Sequence, residues 1–119
     1  MGAVRVARVY DMDAGEEAVK ILVDRLWPRG IRKDDPRIDE WCPDVAPSTA
    51  LRKWFAHRPE VFDEFAQRYR DELDGDDGRA ALARVRELAD GRSVVLLTAT
   101  RDVEHSQATV LAEVLADLP

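Results

Sequence analysis

The residues with the means to do chemistry fall into a few short blocks. Asp24-Arg25-Leu26-Trp27-Pro28-Arg29-Gly30 sets a carboxylate and two guanidiniums around an indole. Arginine's planar fork grips phosphate or carboxylate through two parallel hydrogen bonds, and tryptophan stacks on a base or ring. The block therefore suits an anionic ligand; its structural alternative is an internal Asp–Arg pair with Trp27 filling core. Ala46-Pro47-Ser48 opens a helix carrying Arg52, where free backbone N–H groups would face an anion, unless Ser48 simply caps the helix. Thr98-Ala99-Thr100-Arg101-Asp102, with His105 a turn later, supplies hydroxyls, a cation, a carboxylate and an imidazole. Asp102 would either orient His105 for proton transfer or cap the last helix. His57 closes the Arg52 helix, where the dipole favours its cationic form.

Other chemistries lack their signatures. Neither GxGxxG nor GxxxxGK[ST] occurs, so the standard nucleotide fingerprints are absent, and no HExxH or paired-histidine spacing points to a metal. No cofactor is implied. Cys42 is the single cysteine; it stands between Trp41 and Pro43 in a polar loop and reads as an incidental thiol in a reducing cytoplasm. No run approaches the roughly 18 apolar residues of a membrane span, and the first residues lack the apolar stretch of a signal peptide. The expectation is a cytoplasmic protein with no membrane partner.

The elements that must position these blocks follow from periodicity. Val4 to Tyr10 alternates as a strand should, and Val19 to Leu26 contains the continuous apolar run of a buried strand. Trp27-Pro28-Arg29-Gly30 ends it. Residues 31–46 are polar and irregular, with Ile38 and Trp41 packing down. Ser48 caps a helix to about His57, with Leu51, Trp54 and Phe55 on one face and Arg52 and Lys53 on the other. Pro59 starts a helix to about Leu73. A third helix, capped by Asp76 or Asp77, stops at Gly91 in a left-handed conformation. Ser93 to Thr98 is the strongest strand, and a last helix lines up Ala108, Leu111, Ala112, Leu115 and Leu118. Buried strands followed by amphipathic helices predict an α/β domain, a small and mainly parallel sheet covered by about four helices. Ligands of such sheets gather at the carboxyl ends of strands. Those ends are Asp24 to Gly30 and Thr98 to Asp102, and the prediction is that they converge.

The chain has 119 residues, which makes residues 1–119 a single domain, large enough to bury one core unaided. Eighteen Lys and Arg against 24 Asp and Glu give a formal charge of -6. Residues 1–60 carry 11 of each sign and residues 61–119 carry 7 cations and 13 anions, so the whole excess lies in the second half. Within the balanced half, Arg25, Arg29, Arg32 and Lys33 form one basic cluster and Arg52, Lys53 and Arg58 another. Such clusters in an acidic protein suggest a focused anion site; the alternative is that they pair with the acidic helices of the second half.

Several blocks together resemble a known family. Arg8-Val9-Tyr10-Asp11, Val23-Asp24-Arg25-Leu26-Trp27-Pro28-Arg29-Gly30 with Lys33, Asp39-Glu40-Trp41, Ala46-Pro47-Ser48, Leu51-Arg52-Lys53-Trp54-Phe55 with His57, and Phe65 to Leu73 are similar to the YeaO-like branch of the bacterial domain-of-unknown-function 488 family, over nearly the whole chain. The resemblance implies a compact cytoplasmic α/β domain with its site among Asp24, Arg25, Trp27, Pro28, Arg29, Trp41, Ser48, Arg52 and His105. Members of the broader family carry a Cys-x-Glu after the last strand and a Cys-His-Arg at the next helix. This chain has Thr98 and Thr100 at the first pair and Glu104, His105 and Ser106 at the second, which argues against thiol chemistry.

The first functional expectation is a binding module for a small anionic ligand, a nucleotide or phosphorylated metabolite, held by Arg25, Trp27, Arg29, Trp41, Ser48, Arg52, Thr98 and Arg101. The second is an enzyme on such a substrate, with Asp24 or His105 transferring a proton and arginines stabilising charge. The third is a regulatory module binding nucleic acid or protein, against which the acidic total counts where DNA is concerned.

Overall fold

The computed structural model describes residues 1–118. Strands β1 (Val4–Arg8), β2 (Val19–Leu22), β3 (Glu40–Trp41) and β4 (Val94–Thr98) form one parallel sheet in the order β1-β4-β2-β3. β2 and β4 occupy its centre and every residue of both is buried, as their unbroken apolar runs require. Their register pairs Leu22 with Leu97. The loops that follow them therefore leave side by side from the same edge, and the predicted convergence holds.

Helices α1 (Thr49–Phe55), α2 (Phe62–Leu73), α3 (Asp76–Ala89) and α4 (Gln107–Asp117) all pack on one face. There Val19, Ile21, Val94 and Leu96 meet Phe65, Tyr69, Val85 and Leu111. Burying each such aliphatic or aromatic side chain contributes about 1.5–3 kcal/mol. The other face, Leu22, Val95 and Leu97, is roofed without any helix by Val9, Met12 and Ile31, with Trp27 and Ile38 partly buried beside them. The loop predicted to pack down thus forms the second layer.

Several boundaries differ from expectation for identifiable reasons. β1 gives way to a 3-10 turn at Val9–Asp11. β2 stops at Leu22 instead of Leu26, because Asp24 turns to take the Ala99 N–H at 2.8 Å and Trp41 donates to the Asp24 carbonyl at 2.8 Å. β3 lies within the stretch expected to be irregular; backbone bonds from Asp39 to Lys20 and from Cys42 to Leu22 hold it. A 3-10 turn, Pro59–Val61, precedes α2. α3 is preceded by Gly75 with no side-chain cap, so Asp76 and Asp77 lie in its first turn and do not cap it; at its end Gly91 is left-handed as expected, φ 78°, and Asp90 before it is left-handed too, φ 49°. Cys42 is buried in the helix-side core, where burial pushes its thiol pKa up.

Candidate functional site

A cleft of about 390 Å³ opens at the carboxyl ends of β2 and β4. Asp24, Arg25, Trp27 and Arg29 reach it from the loop after β2, Arg52 and His57 from the end of α1, and Ala99, His105 and Gln107 from the approach to α4. Eight residues singled out from sequence are thus brought together: Asp24, Arg25, Trp27, Pro28, Arg29, Arg52, His57 and His105. Phe55, Phe65, Pro28 and Pro47 give the cleft an apolar wall, with Phe55 and Phe65 stacked at 4.2 Å between centroids.

Asp24 is the most constrained group in the cleft. Its Oδ2 accepts the Ala99 N–H at 2.8 Å and its Oδ1 accepts from Gln107 Nε2. Burial raises its pKa above the usual 3.8, against the lowering effect of hydrogen bonds from Ala99, Thr98 and Gln107 and of the nearby His57. Arg25 is half-buried and donates from Nε to the Pro47 carbonyl and from a terminal nitrogen to the Ala46 carbonyl, both at 3.2 Å. It straps the loop after β2 to the start of α1. Trp27 donates to the Ile31 carbonyl at 2.7 Å and meets Trp41 edge-on at 5.4 Å. The Lys33 ammonium sits over both indoles, at 4.4 and 4.6 Å, an exposed cation–π contact that helps hold the loop.

Arg29 and Arg52 differ from these. Both are exposed, and neither side chain has a partner among the described residues. Many other arginines meet carboxylates: Arg5 meets Glu16, Arg37 meets Asp35, Arg70 meets Glu113. The basic clusters therefore do not neutralise themselves on the acidic helices. The cleft presents three guanidiniums, Arg25, Arg29 and Arg52, against the single carboxylate of Asp24, a net of two positive charges in a chain of formal charge -6.

The histidines enter differently. His105 Nδ1 lies 2.8 Å from Asp102 Oδ2, and Asp102 Oδ1 also accepts the His105 N–H at 3.3 Å, so the aspartate both orients the ring and caps the turn. His57 lies beyond the end of α1, and with Ala56 it adopts a left-handed backbone, φ 57° and 48°, a conformation that costs non-glycine residues about 1 kcal/mol each or more.

Four expected ligand contacts lie outside the cleft lining. Trp41 braces Trp27 from the exposed side. Ser48 accepts the Leu51 N–H and donates to Glu72 at 2.6 Å, making it a helix cap tied to α2. Thr98 is wholly buried and supports Gln107 and Asp24 from beneath. Arg101 is exposed on the loop beyond. Conversely, Tyr10, whose hydroxyl donates to the Arg29 carbonyl at 2.8 Å, and Gln107 line the cleft without having been singled out. Tyr10 follows a strand end, which was the available signal; Gln107 is a polar first residue of a helix, which carries none. No cluster of His, Cys, Asp and Glu among the described residues could hold a metal ion, and no helix among them is long and apolar enough to cross a membrane.

Comparison with known proteins covers nearly all of the chain. The family model described as "Inactive DUF488-N3 subclade" matches residues 3–118. Uncharacterised proteins of Mycobacterium tuberculosis and Mycobacterium bovis are 57% identical over 113 residues, 94% of this chain and 92% of theirs. The uncharacterised protein YeaO of Escherichia coli is 36% identical over 115 residues, 97% of this chain and 98% of its own. No solved structure gives a significant match.

Proposed function

Since this chain belongs to the domain-of-unknown-function 488 family, among its YeaO-like members, we propose that it binds a small anionic ligand in the strand-end cleft. One observation carries this reading: Arg29 and Arg52 stand unpaired at the rim of a cleft with net positive charge, in a protein whose charge is otherwise negative. Unpaired guanidiniums around a concave surface attract phosphate or carboxylate and hold it by charge-assisted hydrogen bonds. The word "inactive" in the subclade's description supports binding without turnover.

Calorimetric titration of the full chain with nucleoside monophosphates and with inorganic phosphate tests the reading. At least one should bind, with an affinity that weakens as salt rises. The double replacement Arg29→Ala, Arg52→Ala should weaken it by tenfold or more, since a hydrogen bond to a charged group contributes about 1.5–3 kcal/mol. Equal affinity in the double variant, or no binding by the wild-type chain, refutes it. The Asp102–His105 contact favours a second reading, turnover of the bound anion with His105 moving a proton. Release of product that stops in His105→Gln, with binding retained, would establish that instead.

A further inference from the structure

The cleft has a division of labour that a bare anion would leave unused. Its rim carries the unpaired Arg29 and Arg52. Its walls are flat and apolar, formed by the stacked Phe55 and Phe65, the Trp27 ring and the two prolines. At Asp24 and Gln107 it is rich in acceptors. The Asp24 carboxylate takes three hydrogen bonds, from Ala99, Thr98 and Gln107, and its two oxygens accommodate about four, which leaves one acceptor position. Gln107 commits Nε2 to Asp24 and Thr98, which leaves its Oε1 with no donor among the described residues. The open Asp24 position and Gln107 Oε1 together call for a ligand with adjacent hydrogen-bond donors. Free phosphate offers none, and the flat aromatic and proline walls suit a planar base better than a hydroxyl-bearing sugar ring.

Resting on the anion-binding reading above, we infer that the ligand is a nucleoside monophosphate whose base presents two neighbouring N–H donors, the guanine edge. The base lies between the aromatic and proline walls with its 2-amino group toward Asp24 and its N1–H toward Gln107 Oε1, and the phosphate reaches Arg29 and Arg52. The cleft, about 390 Å³, lies near the small end of the range for ligand pockets, roughly 300–1,000 Å³. That accommodates one base, sugar and phosphate in preference to a dinucleotide.

Titration of the wild-type chain with GMP, IMP and inorganic phosphate separates the possibilities without any variant. IMP lacks the 2-amino group and should bind about tenfold or more weakly, the cost of one hydrogen bond to a charged acceptor; phosphate, lacking the base, should bind more weakly still. Asp24→Asn places an N–H donor where the carboxylate accepted, so the preference should move from GMP to xanthosine monophosphate, whose 2-carbonyl accepts. GMP and IMP of equal affinity, or phosphate as tight as either, overturns the guanine inference. If that affinity still falls in the Arg29→Ala, Arg52→Ala variant, anion binding stands. If none of the three binds, anion binding itself falls.

Discussion

Replacing Gly78 by alanine in α3 should destabilise the fold, although the same change inside an exposed helix ordinarily stabilises by about 1 kcal/mol. Gly78 does not need glycine for its backbone angles, since its φ is not among the positive values. It needs the space. A β-carbon there would sit 2.4 Å from the Glu72 carbonyl oxygen, 2.5 Å from Leu73 Cα and 2.7 Å from Leu73 C, all backbone atoms of α2. To reach even 3.0 Å, the oxygen must retreat by 0.6 Å, the difference between 3.0 and 2.4. No flexible side chain is available to absorb that movement. Overpacking against rigid neighbours costs about 1–3 kcal/mol, and the clash here is at the upper end. Subtracting the helix-propensity gain leaves a net loss of about 1–2 kcal/mol. For a domain of this size that lowers Tm by roughly 4–8 °C. Urea unfolding followed by far-ultraviolet circular dichroism measures it, with Gly75→Ala as control, because a β-carbon there meets nothing closer than 3.5 Å. If Gly78→Ala matches or exceeds the wild-type midpoint with an unchanged slope, the claim that α2 and α3 pack backbone to backbone at this point is wrong.

Two further outcomes follow from buried polar groups. Burial raises the pKa of Asp24 in the folded chain above its unfolded value, so the native state holds that proton to higher pH, and ionising the group as pH rises carries a stability penalty. Relative to wild type, Asp24→Asn should therefore gain stability as pH climbs from below 3.8 through the carboxylate range toward neutrality; Tm measured across pH checks it, and a difference that moves the other way refutes the assignment. Tyr69 is fully buried and donates its hydroxyl to the Val45 carbonyl at 2.6 Å, so Tyr69→Phe leaves that carbonyl unpaired and should cost about 1–2 kcal/mol in urea unfolding; no change would mean the carbonyl finds another donor.

How much could be read in advance depended on where the information lay. β2 and β4 were legible because a strand buried on both faces must be apolar throughout, and their adjacency placed two chemistry-bearing loops together. β3 left no trace in the pattern: its two residues are exposed, and backbone bonds to β2 hold it. Asp24, Arg25, Trp27 and Arg29 were legible as residues that would line the strand-end cleft because they follow a buried strand directly. Ser48 and Trp41 belong to later segments, and their polar atoms already serve Glu72 and the Asp24 carbonyl. Thr98 is hidden by the very strand that made it conspicuous. Which way a loop residue faces depends on tertiary partners, and Gln107, 83 residues from the carboxylate it bonds, lies beyond the reach of local patterns.

The roof over the second sheet face carries a consequence for evolution and for handling. The segment around Trp27, Ile31 and Ile38 that shapes the cleft also keeps Leu22, Val95 and Leu97 dry. A hinged lid cannot be made from it, since lifting it would wet the centre of the sheet. The cleft therefore comes preformed, and the proposed anion would meet little ordering cost on arrival. Substitutions that loosen this segment should show first as precipitation, through a bared β-surface, before any loss of affinity can be measured.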